Sequence, residues 1–261
     1  MEKNLRSLLP NLVVSTVLIA VGLSTNSLSV ALLFALVPVF IVLKSSIDNN
    51  IEPTQSALIL TISIMIGQLI GFLIRGYSFN YLLFIYPIGI ALITSLYWLV
   101  KKNLNSNLGL ITLIIYWLSF EYIALLINPA FGNYFIFGAL ENISVINFSG
   151  STGFLGYTLW ALASNLILVF VLYDSKAPFN IKFRVLSLIY AAVFVTAPIW
   201  LTLFWDIDVE VISRQMMIDN YAGIQIDNID YSKKGEWLGR TSTWVAVLLT
   251  IYSLVKKKIS K

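Results

Sequence analysis

Residues 108–127 read Leu-Gly-Leu-Ile-Thr-Leu-Ile-Ile-Tyr-Trp-Leu-Ser-Phe-Glu-Tyr-Ile-Ala-Leu-Leu-Ile, and Glu121 is the only charged side chain among them. A run of about 20 apolar residues is long enough to cross the hydrocarbon core of a bilayer as a helix. With this run the chain has eight apolar segments bounded by polar or charged residues, at 8–23, 28–43, 56–74, 81–100, 108–127, 154–173, 185–205 and 241–255. The sequence therefore predicts an all-α, polytopic membrane protein with eight transmembrane helices.

Two short features predict how these helices meet. The first two segments are short for transmembrane helices and are separated by Ser24-Thr25-Asn26-Ser27, so we expect a tight hairpin with a polar tip. In the third segment, Gly67 and Gly71 have the spacing that lets membrane helices approach closely. We expect these glycines to pack against another helix of the same chain.

The composition excludes several classes of function. Of the 261 residues, 58% are apolar and 11% are charged, whereas soluble proteins carry about 25% charged residues. The net charge of +4 is spread along the chain and does not favour a nucleic-acid partner. The chain contains neither Cys nor His, which removes thiolate nucleophiles, Cys-ligated metals and the commonest general base. We therefore predict no catalytic residue, metal or cofactor.

The distribution of basic residues predicts the orientation in the membrane. With eight spans and a cytoplasmic N-terminus, twelve of the 17 basic residues lie inside. The other five lie outside and are Arg75, Arg214, Lys233, Lys234 and Arg240. Because cytoplasmic loops are enriched in Lys and Arg, this bias predicts that both termini are cytoplasmic. We expect a multi-pass protein of the bacterial inner membrane.

These spans divide the chain into three parts. Residues 1–205 are predicted to form a seven-helix bundle whose loop 128–153, rich in Gly, Asn and aromatic residues, re-enters the bundle or lies in the interface. Residues 206–240 form a short acidic extracytoplasmic segment, with alternating stretches at 208–211 and 224–227 that favour a small hairpin. Residues 241–261 form the eighth helix and a basic cytoplasmic tail.

Charged residues of the 206–240 segment are candidates for docking a partner protein. They are Asp206, Asp208, Glu210, Glu236 and Arg240. Asp206, Asp208 and Glu210 could instead bind a hard cation through oxygen atoms. The segment lacks the ligand spacing that would make a cation site specific, and a solvated acidic face is the simpler interpretation.

Glu121 is the most unusual residue of the predicted spans. A carboxylate inside a membrane helix is costly unless it has a partner, and this makes it a candidate functional residue. Glu121 would then bind a lipid or a partner. The alternative is that Glu121 is structural and ties down the 128–153 loop through hydrogen bonds.

Three stretches of the chain resemble the membrane scaffold of the apolipoprotein N-acyltransferase family. The first is Ala35-Leu36-Val37-Pro38-Val39-Phe40. The second runs from Trp117-Leu118-Ser119-Phe120-Glu121-Tyr122 through Asn128-Pro129-Ala130-Phe131-Gly132-Asn133 to Gly150-Ser151-Thr152-Gly153 and a helix carrying Trp160 and Asn165. The third is Lys234-Gly235-Glu236-Trp237-Leu238-Gly239-Arg240, directly before the last span. The order of these motifs carries the resemblance, which extends over all eight spans.

The resemblance implies a lateral cleft through which acyl chains enter from the bilayer. Its lipid- or partner-binding residues would be Trp117, Glu121, Gly132, Asn133, Thr152, Gly153 and Trp160. The family also has a carbon–nitrogen-hydrolase domain between spans seven and eight, and its Cys carries the acyl group. Here that interval is only 206–240 and the chain has no Cys, so the nucleophile of that chemistry is missing.

The sequence is compatible with three functions. The favoured hypothesis is a non-catalytic member that binds phospholipid or lipoprotein as a subunit or accessory factor in envelope lipoprotein handling. A second is the membrane subunit of a two-component N-acyltransferase whose hydrolase-like part is a separate chain. A third is a small-solute transporter, which the near absence of charged residues in the spans disfavours.

Overall fold

The computed structural model describes residues 2–48, 53–77, 81–104, 109–143, 152–173, 181–204 and 236–259. These residues form eight α-helices and three 3-10 segments. The α-helices are α1 (Glu2–Ser24), α2 (Val37–Asp48), α3 (Pro53–Ile74), α4 (Leu82–Leu104), α5 (Gly109–Ile127), α6 (Leu155–Tyr173), α7 (Ile181–Phe204) and α8 (Glu236–Ile259). The 3-10 segments are η1 (Asn26–Leu33), η2 (Pro129–Tyr134) and η3 (Ile136–Asn142).

The helical class predicted from the sequence is confirmed for the described residues. Five helical stretches are long and apolar enough to cross a membrane: Asn26–Lys44, Leu82–Lys101, Gly109–Ile127, Leu155–Leu172 and Glu236–Lys256. The other three predicted segments coincide with α1, α3 and α7, whose apolar helical stretches are shorter: Leu9–Ser24, Leu60–Ile74 and Ser187–Pro198. The molecule is thus compatible with a multi-pass membrane protein.

The second predicted segment is broken rather than continuous. After α1, the single residue Thr25 leads into η1, and the two elements pack together as the predicted hairpin. The chain then leaves the helical path at residues 34–36 and resumes as α2. Pro38 lies in the first turn of α2, where its missing N–H group needs no acceptor. The break therefore falls where a proline is tolerated.

Side chains from two neighbouring helices satisfy the backbone at this break. Asn165 of α6 accepts a hydrogen bond from the Leu36 N–H group at 2.8 Å and donates one to the Leu32 carbonyl at 3.1 Å. Ser15 of α1 donates to the Ala35 carbonyl at 2.5 Å. Both Ser15 and Asn165 are fully buried. Because an unpaired backbone group inside a membrane protein is costly, these bonds stabilise the broken helix.

Gly67 and Gly71 pack α3 against α1, as their spacing predicts. A Cβ atom at Gly67 would lie 2.8 Å from the Thr16 carbonyl oxygen. A Cβ atom at Gly71 would lie 2.6 Å from the Cβ atom of Leu23. No larger side chain fits at either position without moving α1, so the contact within the chain accounts for the motif.

The segment that follows α5 packs into the bundle as η2 and η3. Asn128 caps η2 by accepting a hydrogen bond from the Ala130 N–H group at 3.0 Å. Gln68 of α3 donates to the Tyr134 carbonyl at 3.0 Å. The aromatic and aliphatic residues that follow are fully buried: Phe135, Ile136, Phe137 and Leu140. This segment contacts α4, α5 and α6 and thereby forms one wall of the candidate site.

Candidate functional site

Glu121 lies at the centre of a buried hydrogen-bond network that joins three helices. Its side chain on α5 has no solvent exposure. Its Oε1 atom accepts hydrogen bonds from the Tyr86 hydroxyl of α4 at 2.7 Å and from Trp117 Nε1 at 3.0 Å. Its Oε2 atom accepts one from the Thr158 hydroxyl of α6 at 2.6 Å. The network therefore connects α4, α5 and α6 through one carboxyl group.

The chemistry of these donors defines what the network can do. Trp117 can only donate a hydrogen bond, and it also approaches the Tyr86 hydroxyl at 2.9 Å. Tyr86, Trp117 and Thr158 are neutral, so they stabilise the carboxyl group through hydrogen bonds rather than through opposite charge. A buried, fully hydrogen-bonded network of this type fixes the positions of the groups that form it.

A small apolar crevice lies directly beside this network. It is lined by Leu82, Ile85, Tyr86, Phe120, Ala124, Phe131, Tyr134 and Phe135. These residues come from the start of α4, the second half of α5 and the 3-10 segments. The Tyr86 ring lines the crevice while its hydroxyl donates to Glu121, so one residue joins the crevice to the network. The lining is suited to an alkyl chain because its side chains are aliphatic or aromatic.

The other predicted lipid-binding residues lie in η2, directly before α6 and on α6. Gly132 is buried in η2 and Asn133 is half-buried there, between the crevice-lining residues Phe131 and Tyr134. Gly153, with φ of +67°, is buried just before α6, and Thr152 precedes it. Trp160 is buried on α6 but stands two residues from Thr158, and side chains with that spacing point to different faces of a helix.

Of the predicted docking residues, Glu236 and Arg240 stabilise the packing of α8 on α5. The Tyr122 hydroxyl donates a 2.8 Å hydrogen bond to Glu236, whose carboxylate also pairs with Arg240 at 2.9 Å. Gly239 faces the Tyr122 ring so closely that a Cβ atom would lie 2.3 Å from Cδ2. Asp206, Asp208 and Glu210 lie outside the described residues, so their docking role stays a prediction.

The three stretches singled out in the sequence, which include 35–40, 117–165 and 234–240, are in contact here. Asn165, at the end of the second stretch, bonds to the backbone of Leu36 in the first. Tyr122 in the second stretch contacts Glu236 and Gly239 in the third. Motifs that are far apart in the sequence thus meet around α5 and α6.

The roles of four residues in this region were not predicted from the sequence. Tyr86 and Thr158 donate hydrogen bonds to Glu121, and Ser15 and Asn165 bind the backbone at the break before α2. Thr158 and Asn165 lie within the quoted motif, but a hydroxyl or an amide in a membrane helix does not reveal its partner. Tyr86 directly precedes Pro87 inside α4. Pro87 was the one feature of the local sequence that could have drawn attention to the start of α4.

Comparisons with protein families, with curated proteins and with solved structures find no match to this chain. The described residues also contain no cluster of three or more His, Cys, Asp or Glu side chains that could hold a metal ion.

Proposed function

We propose that this chain is a non-catalytic membrane scaffold that binds phospholipid, with an acyl chain in the crevice between α4, α5 and η2. It would act as a subunit or accessory factor in envelope lipoprotein handling, as the resemblance to the membrane part of apolipoprotein N-acyltransferase implies. The observation that carries the proposal is the apolar crevice beside the Glu121 network.

The walls of the crevice support binding of an alkyl chain. Tyr86 and Phe135 are almost fully buried and pack with ring centroids 5.4 Å apart. The position of the Tyr86 ring is also fixed, because its hydroxyl donates a hydrogen bond to Glu121. Ile85, Phe120 and Phe131 are only half-buried, which puts this side of the crevice toward the surface of the bundle. An acyl chain would enter from this side and displace half-buried side chains, and the lining that it would meet is apolar, as in most small-ligand sites.

The composition supports a scaffold rather than an enzyme. Acyl transfer through a covalent intermediate needs an activated nucleophile, and Cys and His are missing from the chain. Glu121, the buried acid of the site, is surrounded by three hydrogen-bond donors that belong to the protein. We assign Glu121 to positioning Tyr86 and the helices that form the crevice.

The proposal includes the topology predicted from the basic residues. All eight apolar segments would cross the membrane, with α1 and α8 placing both termini in the cytoplasm. The crevice, the α1–η1 hairpin tip and the start of α8 would then lie toward the extracytoplasmic side. The protein would belong to the bacterial inner membrane.

The test is photolabelling by phosphatidylglycerol that carries a diazirine in one acyl chain. Ala124 lines the crevice and is 5% exposed, so Ala124→Phe fills the space with a ring. The matched control is Leu126→Phe, which adds the same side chain at a position on α5 that is 54% exposed. We expect Ala124→Phe to lower labelling roughly tenfold, equivalent to about 1.4 kcal/mol, while Leu126→Phe labels like the unsubstituted protein.

Equal labelling of Ala124→Phe, Leu126→Phe and the unsubstituted protein would contradict the proposal. Size-exclusion profiles and unfolding temperatures in detergent establish that each variant is folded. If Ala124→Phe does not fold, Ala124→Leu introduces a smaller obstruction, for which we expect an intermediate loss of labelling.

A further inference from the structure

The end of α3 is built so that Arg75 takes one defined position. The N–H group of Tyr77 bonds to the Phe72 carbonyl at 2.9 Å, and that of Gly76 bonds to the Leu73 carbonyl at 3.1 Å. This pair of bonds is a Schellman motif, which needs a left-handed residue after the helix. Gly76 supplies it with φ of +85°. Arg75 is therefore the C-cap residue of α3, held by a rigid turn.

Two neighbours hold the Arg75 guanidinium group. Its Nη2 atom donates a 2.6 Å hydrogen bond to Asn26 Oδ1 at the hairpin tip. The Tyr77 ring centroid lies 6.0 Å from its Cζ atom, within reach of a cation–π contact. These contacts orient the guanidinium without neutralising its charge.

The guanidinium group still lacks acceptors. Its Nη1 atom is shielded from solvent and has no hydrogen-bond acceptor within the described part of the chain. Its only side-chain acceptor there is the neutral Asn26. Arg240, by contrast, is paired with Glu236. An arginine presents a planar set of N–H donors that matches the oxygen atoms of a phosphate group. Arg75 is thus preorganised for an anion that the described residues do not supply.

A continuous set of aromatic rings joins Arg75 to the crevice. The Tyr77 ring packs against Phe72 with centroids 5.0 Å apart, and Phe72 packs edge-on against Tyr134 at 6.0 Å. Tyr134 lines the crevice. Arg75 and the crevice therefore lie at the same end of the bundle, joined by packed rings of which Phe72 is buried.

We propose that Arg75 binds the phosphate of a phospholipid headgroup whose acyl chain occupies the crevice. The inference rests on the proposed function and adds the chemical class of the headgroup. The Asn26 side chain and the Tyr77 ring position the guanidinium, and those of its N–H groups that remain accessible on the half-buried side chain donate to the phosphate oxygens. Free inorganic phosphate offers the same oxygens but has no acyl chain, so the experiment separates the two sources.

The test compares two probes that share one acyl chain. One is phosphatidylglycerol with a diazirine in that chain, and the other is diacylglycerol with the same chain and no phosphate. Both are presented to the full-length protein in detergent micelles. We expect Arg75→Gln to lower labelling by the phosphatidylglycerol probe roughly tenfold and to leave labelling by the diacylglycerol probe unchanged.

Two variants control for charge and for structure. Lys256→Gln removes one positive charge from the exposed end of α8. Asn26→Ala removes the hydrogen bond to Arg75 but keeps the cation. Lys256→Gln should be labelled by the phosphatidylglycerol probe to within about twofold of the unsubstituted protein, a difference of roughly 0.4 kcal/mol. Asn26→Ala releases one of the two contacts that position the guanidinium, so we expect it to lose labelling by that probe, but less than Arg75→Gln does, and to keep labelling by the diacylglycerol probe. A merely structural role for Arg75 would instead make Asn26→Ala and Arg75→Gln lose labelling by both probes alike.

The remaining outcomes separate this inference from the proposed function. If Ala124→Phe lowers labelling by both probes while Arg75→Gln lowers neither, the acyl-chain site stands and the headgroup site is wrong. If Ala124→Phe lowers neither, the proposed function fails as well. Arg75-dependent binding of inorganic phosphate together with equal labelling of the unsubstituted protein by the two probes would assign Arg75 to free phosphate and overturn the headgroup site. If Arg75→Gln does not fold, equal labelling of the unsubstituted protein by the two probes would overturn it.

Discussion

The Tyr86 hydroxyl donates a 2.7 Å hydrogen bond to Glu121 Oε1, and the ring of the same tyrosine lines the apolar crevice. A single side chain therefore couples a buried carboxyl group to the wall of the proposed lipid site. Glu121 does not reach the crevice itself, because its side chain is fully buried under Tyr86, Trp117 and Thr158. This arrangement indicates that the acid shapes the site rather than contacting its ligand.

Substitutions of Glu121 distinguish a role of its shape and hydrogen bonds from a role of its charge. In Glu121→Gln, the amide oxygen can face Trp117 and Tyr86, and the amide nitrogen can donate to the Thr158 hydroxyl. We expect its free energy of unfolding to fall by less than about 1 kcal/mol and its bound phospholipid to be retained. Glu121→Leu removes the acceptor of the Tyr86 and Thr158 hydroxyls, while Trp117 keeps the Tyr86 hydroxyl as its acceptor. We expect a loss of about 1–3 kcal/mol for the most strongly affected donor.

The measurement is thermal unfolding in detergent combined with mass spectrometry of co-purified lipid. If Glu121→Gln keeps its stability but loses lipid, then Glu121 contacts the headgroup or a partner directly. That result would contradict the positioning role assigned to it.

Asn165 is expected to be more important for stability than its sequence context suggests. Asn165→Leu leaves the Leu36 N–H and Leu32 carbonyl groups without their side-chain partner at the break before α2. We expect a loss of about 1–3 kcal/mol in the free energy of unfolding, measured by chemical denaturation in mixed micelles. Ser95→Ala is the control, because Ser95 is exposed and bonds only to a carbonyl of its own helix. Equal stabilities of Asn165→Leu and Ser95→Ala would show that the hydrogen bonds of Asn165 do not stabilise the break.

The sequence predicts the helices well because apolar length is a strong signal in membrane proteins. Seven of the eight predicted spans each coincide with one α-helix, whereas the second is divided between η1 and α2. The spacing of Gly67 and Gly71 gives the α1–α3 contact. Glu121 is also found from sequence alone, since a carboxylate inside an apolar run is conspicuous.

The partners of these residues could not be predicted in the same way. The Tyr86 hydroxyl and Thr158 are brought to Glu121 by the packing of α4 and α6 on α5, and nothing in the local sequence records that packing. The break at 34–36 was missed because every residue there is apolar and reads as continuous helix. Pro38 was the only residue that could have indicated this break. A proline near the start of a helix is also common where the preceding helix is complete, so it does not identify a break by itself.

We expect no acyl transfer by this chain alone. The reason is chemical, because a Cys thiolate carries the acyl group in the resembling family and the chain contains no Cys. The assay supplies purified protein with phospholipid and a diacylated lipoprotein peptide, and mass spectrometry monitors the peptide amine. Acylation of that amine above the level of a protein-free control would contradict the non-catalytic assignment.

The proposed topology is testable with single cysteines, because the chain has none of its own. We expect Asn142→Cys and Asp219→Cys to react with a membrane-impermeant maleimide in intact spheroplasts. Ser260→Cys, in the C-terminal tail, is the matched internal control and should react only after lysis. Protection of Asn142→Cys and Asp219→Cys until lysis would reverse the orientation.

The most direct test of the lipid-binding account locates the label on the protein. Unsubstituted protein is photolabelled with the diazirine phosphatidylglycerol and digested, and the modified residues are identified by mass spectrometry. The account predicts that labelled residues concentrate in the crevice, within 82–86, 120–124 and 131–135. Label confined to outward-facing residues of α7 and α8, such as Val193 and Leu248, would contradict it.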